Sequence, residues 1–142
     1  MYKTLQAHYI KVFSPGVMAF AMLYGLYKSG VEVTYALGGP VAAAILVAMA
    51  AVTSIAGPLW YRLYFARRHQ RSQTVALHEL LHFEKRLINL AGLTTYLLIL
   101  AFVVQLPRTP FLAVAMLLLY AMYFYFPSAR RIRHEKQMFR TK

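Results

Sequence analysis

The sequence predicts an all-α membrane protein: a four-transmembrane-helix bundle of two short hairpins, both termini cytoplasmic, with the third helix extended into the cytoplasm. Three observations lead there. Leu87–Leu106 (LINLAGLTTYLLILAFVVQL) runs twenty residues without a charge, about the length that crosses a hydrocarbon core of roughly 30 Å at 1.5 Å per residue. Three further apolar stretches accompany it. The basic residues, 16 against four acidic ones, crowd into alternate connections.

Composition agrees. Of 142 residues 60% are hydrophobic, and the mean hydropathy is +0.49. A water-soluble domain of this size could not hide so much apolar surface, whereas lipid accepts it. The expectation is one integral membrane domain over residues 1–142, with no separate soluble domain. A chain without cysteine has no disulfide, no thiolate metal site and no cysteine nucleophile. A net charge of +12 would suggest nucleic acid in a soluble protein; here its confinement to loops marks topology, and no nucleic-acid partner is expected. A cleaved signal peptide is not expected either, because the first apolar stretch ends in Tyr-Lys-Ser-Gly without a small-x-small site.

The first span is predicted over residues 12–27. It is short, with Tyr9, Tyr24 and Tyr27 as interfacial anchors, and Pro15 placed in the first helical turn. The second is predicted over residues 40–57, between a Gly38-Gly39-Pro40 entry and a Gly57-Pro58 kink or stop. Small residues recur four apart in it, as Gly39/Ala43, Ala44/Ala48, Ala50/Ser54 and Thr53/Gly57. That spacing lets helix backbones approach closely in lipid, so Gly39, Ala43, Ala44, Ala48, Ala50, Ser54 and Gly57 are the predicted packing interface.

An aromatic belt, Trp60, Tyr61, Tyr64 and Phe65, then enters a basic cytoplasmic loop predicted over residues 61–86. From Thr74 to Leu106 there is no proline and one glycine, Gly92, so one long helix is expected, its membrane part at residues 87–106. Pro107-Arg108-Thr109-Pro110 reads as the reversing turn and residues 111–126 as the fourth span, followed by a basic tail over residues 127–142. With four spans, fourteen basic residues share the side of the termini and only Lys28 and Arg108 lie opposite. The positive-inside rule makes that side cytoplasmic, and a bacterial inner membrane is the expected location.

Two patterns bear on chemistry. His78-Glu79-Leu80-Leu81-His82 matches H-E-x-x-H and so resembles the zinc proteases. On a helix, residues four apart share a face, so two imidazoles can grip one Zn²⁺ while the glutamate activates its water. A third ligand would have to come from His134 or Glu135, and the aspartate used by membrane-embedded site-two proteases has no counterpart in a chain without aspartate. His78 and His82 are therefore carried as the metal candidates, for zinc or haem, with His8, His69 and His134 on the same side for a composite site. No cofactor is expected overall. The structural reading of the same residues is a polar stripe, His78, His82, Lys85 and Asn89, at the foot of the third helix, with Glu79, Phe83 and Arg86 as a second, weaker line. Glu79 and Glu84 are expected to pair with neighbouring cations.

The second pattern is cationic. Arg67, Arg68 and Arg71, with Arg130, Arg131 and Arg133, are the expected contacts to anionic lipids or an acidic partner, at roughly 1 kcal/mol per charge near the surface. The spans as drawn hold no ionisable side chain, which argues against a proton-coupled carrier. Their hydroxyls and amides, at Ser14, Thr53, Ser54, Asn89, Thr94, Thr95, Tyr96 and Gln105, read as helix–helix hydrogen-bonding groups.

In layout, two short hairpins, a Gly/Ala-rich second span ending in Phe-x-Arg-Arg-His-Gln and a third helix entered through a glutamate, the chain resembles the ATP synthase subunit I family. It departs at the glycine-glutamate pair of that family's third span, where Phe83 precedes Glu84, in the position of Arg86 against that family's lysine, and in a longer central loop. No functional residue is carried across. The function expected is a non-catalytic accessory, assembly or scaffold subunit of a larger membrane complex, its partners being lipid and other membrane subunits or itself. The alternatives are a small homo-oligomeric transporter or channel and, more remotely, an H-E-x-x-H zinc enzyme.

Overall fold

The computed structural model describes residues 2–32, 34, 36–37, 39–68 and 76–138, and every regular element among them is helical. In chain order these are α1 (Tyr2–Lys28), α2 (Pro40–Ala51), a π-helical turn (Val52–Ala56), α3 (Gly57–Arg68), α4 (Leu77–Val103), α5 (Arg108–Phe124) and α6 (Ala129–Met138). Three continuous helices are long and apolar enough to cross a membrane: Tyr2–Lys28, Pro40–Arg68 and Leu77–Val103. The 17 residues of α5 rise only about 25 Å at 1.5 Å each.

α4 is the central post. It packs against α1, α2, the π turn, α3 and α5, and half of its most apolar stretch is buried, against 17% for α1 and 22% for the helix over Pro40–Arg68. One face of α4 does this work. Leu80, Glu84, Leu87, Ala91, Thr94, Leu98 and Ala101, three or four residues apart, are all buried.

The helices start and stop away from several sequence-drawn boundaries. α1 begins ten residues before the predicted span, because Leu5, Tyr9 and Phe13, each four apart, are all buried. Pro15 consequently lies inside the helix and not in its first turn, at an exposed position. Gly57-Pro58 does not stop the second helix. The Gly57 N–H reaches back five residues to the Val52 carbonyl, and this wider turn accommodates a proline that would collide with the carbonyl four residues earlier in a regular helix.

The predicted loop over residues 61–86 is helical as far as Arg68 and again from Leu77. The two helical stretches pack on each other through Tyr61, Phe65 and Phe83, with Phe65 and Phe83 stacked at 4.2 Å and Tyr61 and Phe83 at 5.4 Å between ring centroids. The turn between α4 and α5 sits earlier than predicted. Gln105 adopts φ 54°, its N–H bonds the Phe102 carbonyl, and the Leu106 N–H bonds that of Ala101. This six-to-one closure is a Schellman motif, and it leaves Pro110 in the first turn of α5, where a missing N–H costs little. The predicted tail carries α6.

Side-chain contacts fix which helix ends lie together. The Tyr9 hydroxyl donates to the Met122 carbonyl at 2.8 Å, and its ring meets Phe126 edge-on. His8 bonds Asn89 at 2.8 Å, and Arg86 bonds Tyr61 at 3.2 Å. At the far end Phe102 touches Tyr27 and Phe111, and Gln105 bonds Thr34. The start of α1, the end of α3, the foot of α4 and the end of α5 therefore share one end of the bundle. The basic residues of those segments gather there.

Candidate functional site

Two helix faces meet at the basic end. On α3, Tyr61, Phe65 and Arg68 stand at i, i+4 and i+7; on the foot of α4, Glu79, Phe83 and Arg86 repeat that spacing. Such residues share one helix face. The two phenylalanines stack as the floor, and Arg68, Arg86, His78, His82, Glu79 and Tyr64 surround a cavity of about 610 Å³. The Arg86 guanidinium is anchored by donating to the Tyr61 hydroxyl. The weaker of the two polar lines read from the sequence faces α3 along its whole length.

His78 and His82 come together as the H-E-x-x-H spacing requires. Their Nε2 atoms are 3.1 Å apart and their rings 4.4 Å between centroids. Two ligands at 2.0–2.1 Å from a tetrahedral metal stand about 3.3 Å apart, so the pair has the bite of a chelate. At that distance an N–H of one ring donates to the ring nitrogen of the other. Glu79 lines the same cavity, but the predicted third ligand does not: His134 is exposed on α6, and the side chain of Glu135 lies outside the described residues. No group of three His, Cys, Asp or Glu side chains converges among the described residues. Nor does His8 join this cavity. It bonds Asn89 in a separate groove between α1 and α4, while His69 lies outside the described residues. The predicted stripe therefore divides, its histidines facing α3 and its asparagine facing α1.

The small residues of α2 divide as well. Ala43, Ala50 and Ser54 are buried inside the chain, the Ser54 hydroxyl donating to the Ala50 carbonyl at 2.6 Å. Gly57 is half-buried, and a methyl group there would stand 2.8 Å from Leu90. Gly39, Ala44 and Ala48 are exposed. Among the polar residues of the apolar helices, Thr53 and Thr94 bond each other across the π turn and α4 at 2.9 Å.

Of the cationic candidates, Arg67, Arg68, Arg130 and Arg133 are exposed at the basic end; Arg71 and the side chain of Arg131 lie outside the described residues. Glu84 is only 5% exposed, on the α4 face that carries Leu80, Leu87 and Ala91. Its four- and three-residue spacing from those apolar neighbours was the signal that places it inward.

No known protein family, curated protein or solved structure matches the chain. The layout resemblance to the ATP synthase subunit I family thus has no family match beside it.

Proposed function

We propose that this protein is a four-span accessory or assembly subunit of a larger membrane complex, without catalysis of its own, in a bacterial inner membrane with both termini in the cytoplasm. α5 completes the fourth crossing, and local bilayer thinning absorbs its short length. The basic end lies against the anionic headgroups of the cytoplasmic leaflet. The observation that carries the subunit reading is the outward turn of Ala44 and Ala48. The chain's own packing uses Ala43, Ala50 and Ser54, and it leaves a second small-residue pair, four apart, beside exposed Val41, Ile45 and Met49. Small pairs of this kind allow close helix approach, where van der Waals contact drives association between spans.

The chain has no cysteine, so Ala44→Cys and Ala48→Cys supply unique cross-linking sites in native membranes. A cross-link to a different polypeptide, recovered in fixed stoichiometry in mild detergent, is the expected result. A product at twice the chain's own mass would favour the homo-oligomeric transporter or channel instead. No product at either position would remove the interface.

A further inference from the structure

We infer that the cavity between α3 and the foot of α4 is a binding site for the phosphodiester headgroup of an anionic phospholipid. Its polar lining consists mostly of hydrogen-bond donors. Arg68 and Arg86 offer guanidinium forks, which match phosphate oxygens two at a time. Tyr64 adds a hydroxyl, and the His78–His82 pair offers the ring N–H that is not spent on the bond between the two rings. Arg86 is held in place by Tyr61, so part of the ordering that binding requires is already done.

Charge selects the ligand. The two guanidiniums outnumber the one carboxylate, Glu79, so the lining is cationic and complements the negative charge of a phosphodiester. The same balance opposes a divalent cation at the histidine pair and repels a choline-type headgroup. A volume of about 610 Å³ holds a headgroup and not a whole lipid. The way out for the chain is aromatic: Tyr64 and, one turn earlier, Trp60 are 56% and 75% exposed and lead from the cavity toward the apolar α2. Aromatic side chains of this kind sit at headgroup level in membranes.

The inference rests on the membrane placement proposed above, though not on the subunit reading. Trp60 is the only tryptophan in the chain and reports on it directly. The full chain in mixed micelles is titrated with brominated phosphatidylglycerol or brominated phosphatidylcholine, and Trp60 quenching is followed. Half-quenching at a mole fraction at least fivefold lower for phosphatidylglycerol is expected. Arg68→Gln with Arg86→Gln should bring the two lipids within twofold. Arg68→Gln alone, which leaves the Arg86–Tyr61 bond intact, should lose at least half of the preference. Arg130→Gln with Arg133→Gln, outside the cavity, should retain it.

Equal quenching by both lipids overturns the site while leaving the membrane placement standing; quenching by neither overturns the placement as well. A preference that survives the cavity variants but disappears with Arg130 and Arg133 overturns the site in favour of diffuse surface charge. Dimethyl phosphate at constant ionic strength tests the other source. If it protects Trp60 from an aqueous quencher and no lipid preference is seen, the lipid assignment falls to a free phosphodiester. Zinc binding that is lost in His78→Ala and His82→Ala, and that displaces the lipid, would overturn the charge argument.

Discussion

Val12 of α1 stands in the space that a side chain at position 92 of α4 would occupy. A methyl group built on Gly92 collides with the Val12 side chain, and one built on Gly16 collides with Thr95. The two helices therefore touch at reciprocal notches, a glycine on each facing a β-branched residue on the other. Such side chains have little rotamer freedom within a helix and cannot swing aside at low cost. Gly92→Ala is expected to destabilise the fold by about 1–3 kcal/mol, the usual cost of overpacking. Adding Val12→Ala should recover most of that loss. Equilibrium unfolding in mixed micelles reads both, and a Gly92→Ala protein as stable as the parent would contradict the notch.

The Thr53–Thr94 bond ties the π turn to α4 inside an apolar bundle. Interhelical hydrogen bonds in membranes contribute on the order of 0.6 kcal/mol, and each threonine can also satisfy itself locally, as Thr53 does through the Met49 carbonyl. A double-mutant cycle with Thr53→Val and Thr94→Val should give a coupling energy of about that size. A coupling near zero would mean that the local bonds suffice.

Opposite faces of one helix should respond in opposite ways. Ala50 is fully buried and Ala48, two residues earlier, is exposed. Ala50→Phe is expected to cost about 1–3 kcal/mol or more in stability. Ala48→Phe should leave unfolding unchanged and reduce recovery of the partner polypeptide by tenfold or more. If both variants merely unfold, the outward face has no separate role.

Topology is checked by single cysteines in the otherwise cysteine-free chain. Cysteines at Ser29 and Arg108 should react with an impermeant maleimide added to intact cells. One at Gln73 should react only after the membrane is opened. Labelling of Gln73→Cys from outside would reverse the orientation.

Within the sequence, the helical class and its central element were legible because lipid imposes a coarse rule: every backbone polar group must be bonded within its own helix, and apolar length does the rest. Leu87–Leu106 has that length, and the helix around it is the one against which the others pack. Gly39-Pro40 likewise set the start of α2, through proline's fixed φ and its missing N–H. The histidine pair was legible for a different reason, since i and i+4 positions meet on any helix.

What the sequence could not settle was facing. Apolar side chains are equally at home against lipid and against another helix, so hydropathy alone does not say which of Ala44, Ala48 and Ala50 turns inward. Nor does it show that the polar segment Lys3–Lys11 is helix rather than loop, whereas the proline-free stretch from Thr74 already read as the helical foot of α4. Leu5, Tyr9 and Phe83 found partners far along the chain, and those contacts extended the helices past the span ends. The cavity arises in the same way, from two faces separated by more than ten residues, each unremarkable until α3 and α4 run side by side. Sequence determined the helical class and where the charge lies, because those depend on residues close together in the chain. Only the tertiary structure decided which side chains meet, because packing joins positions that no local pattern connects.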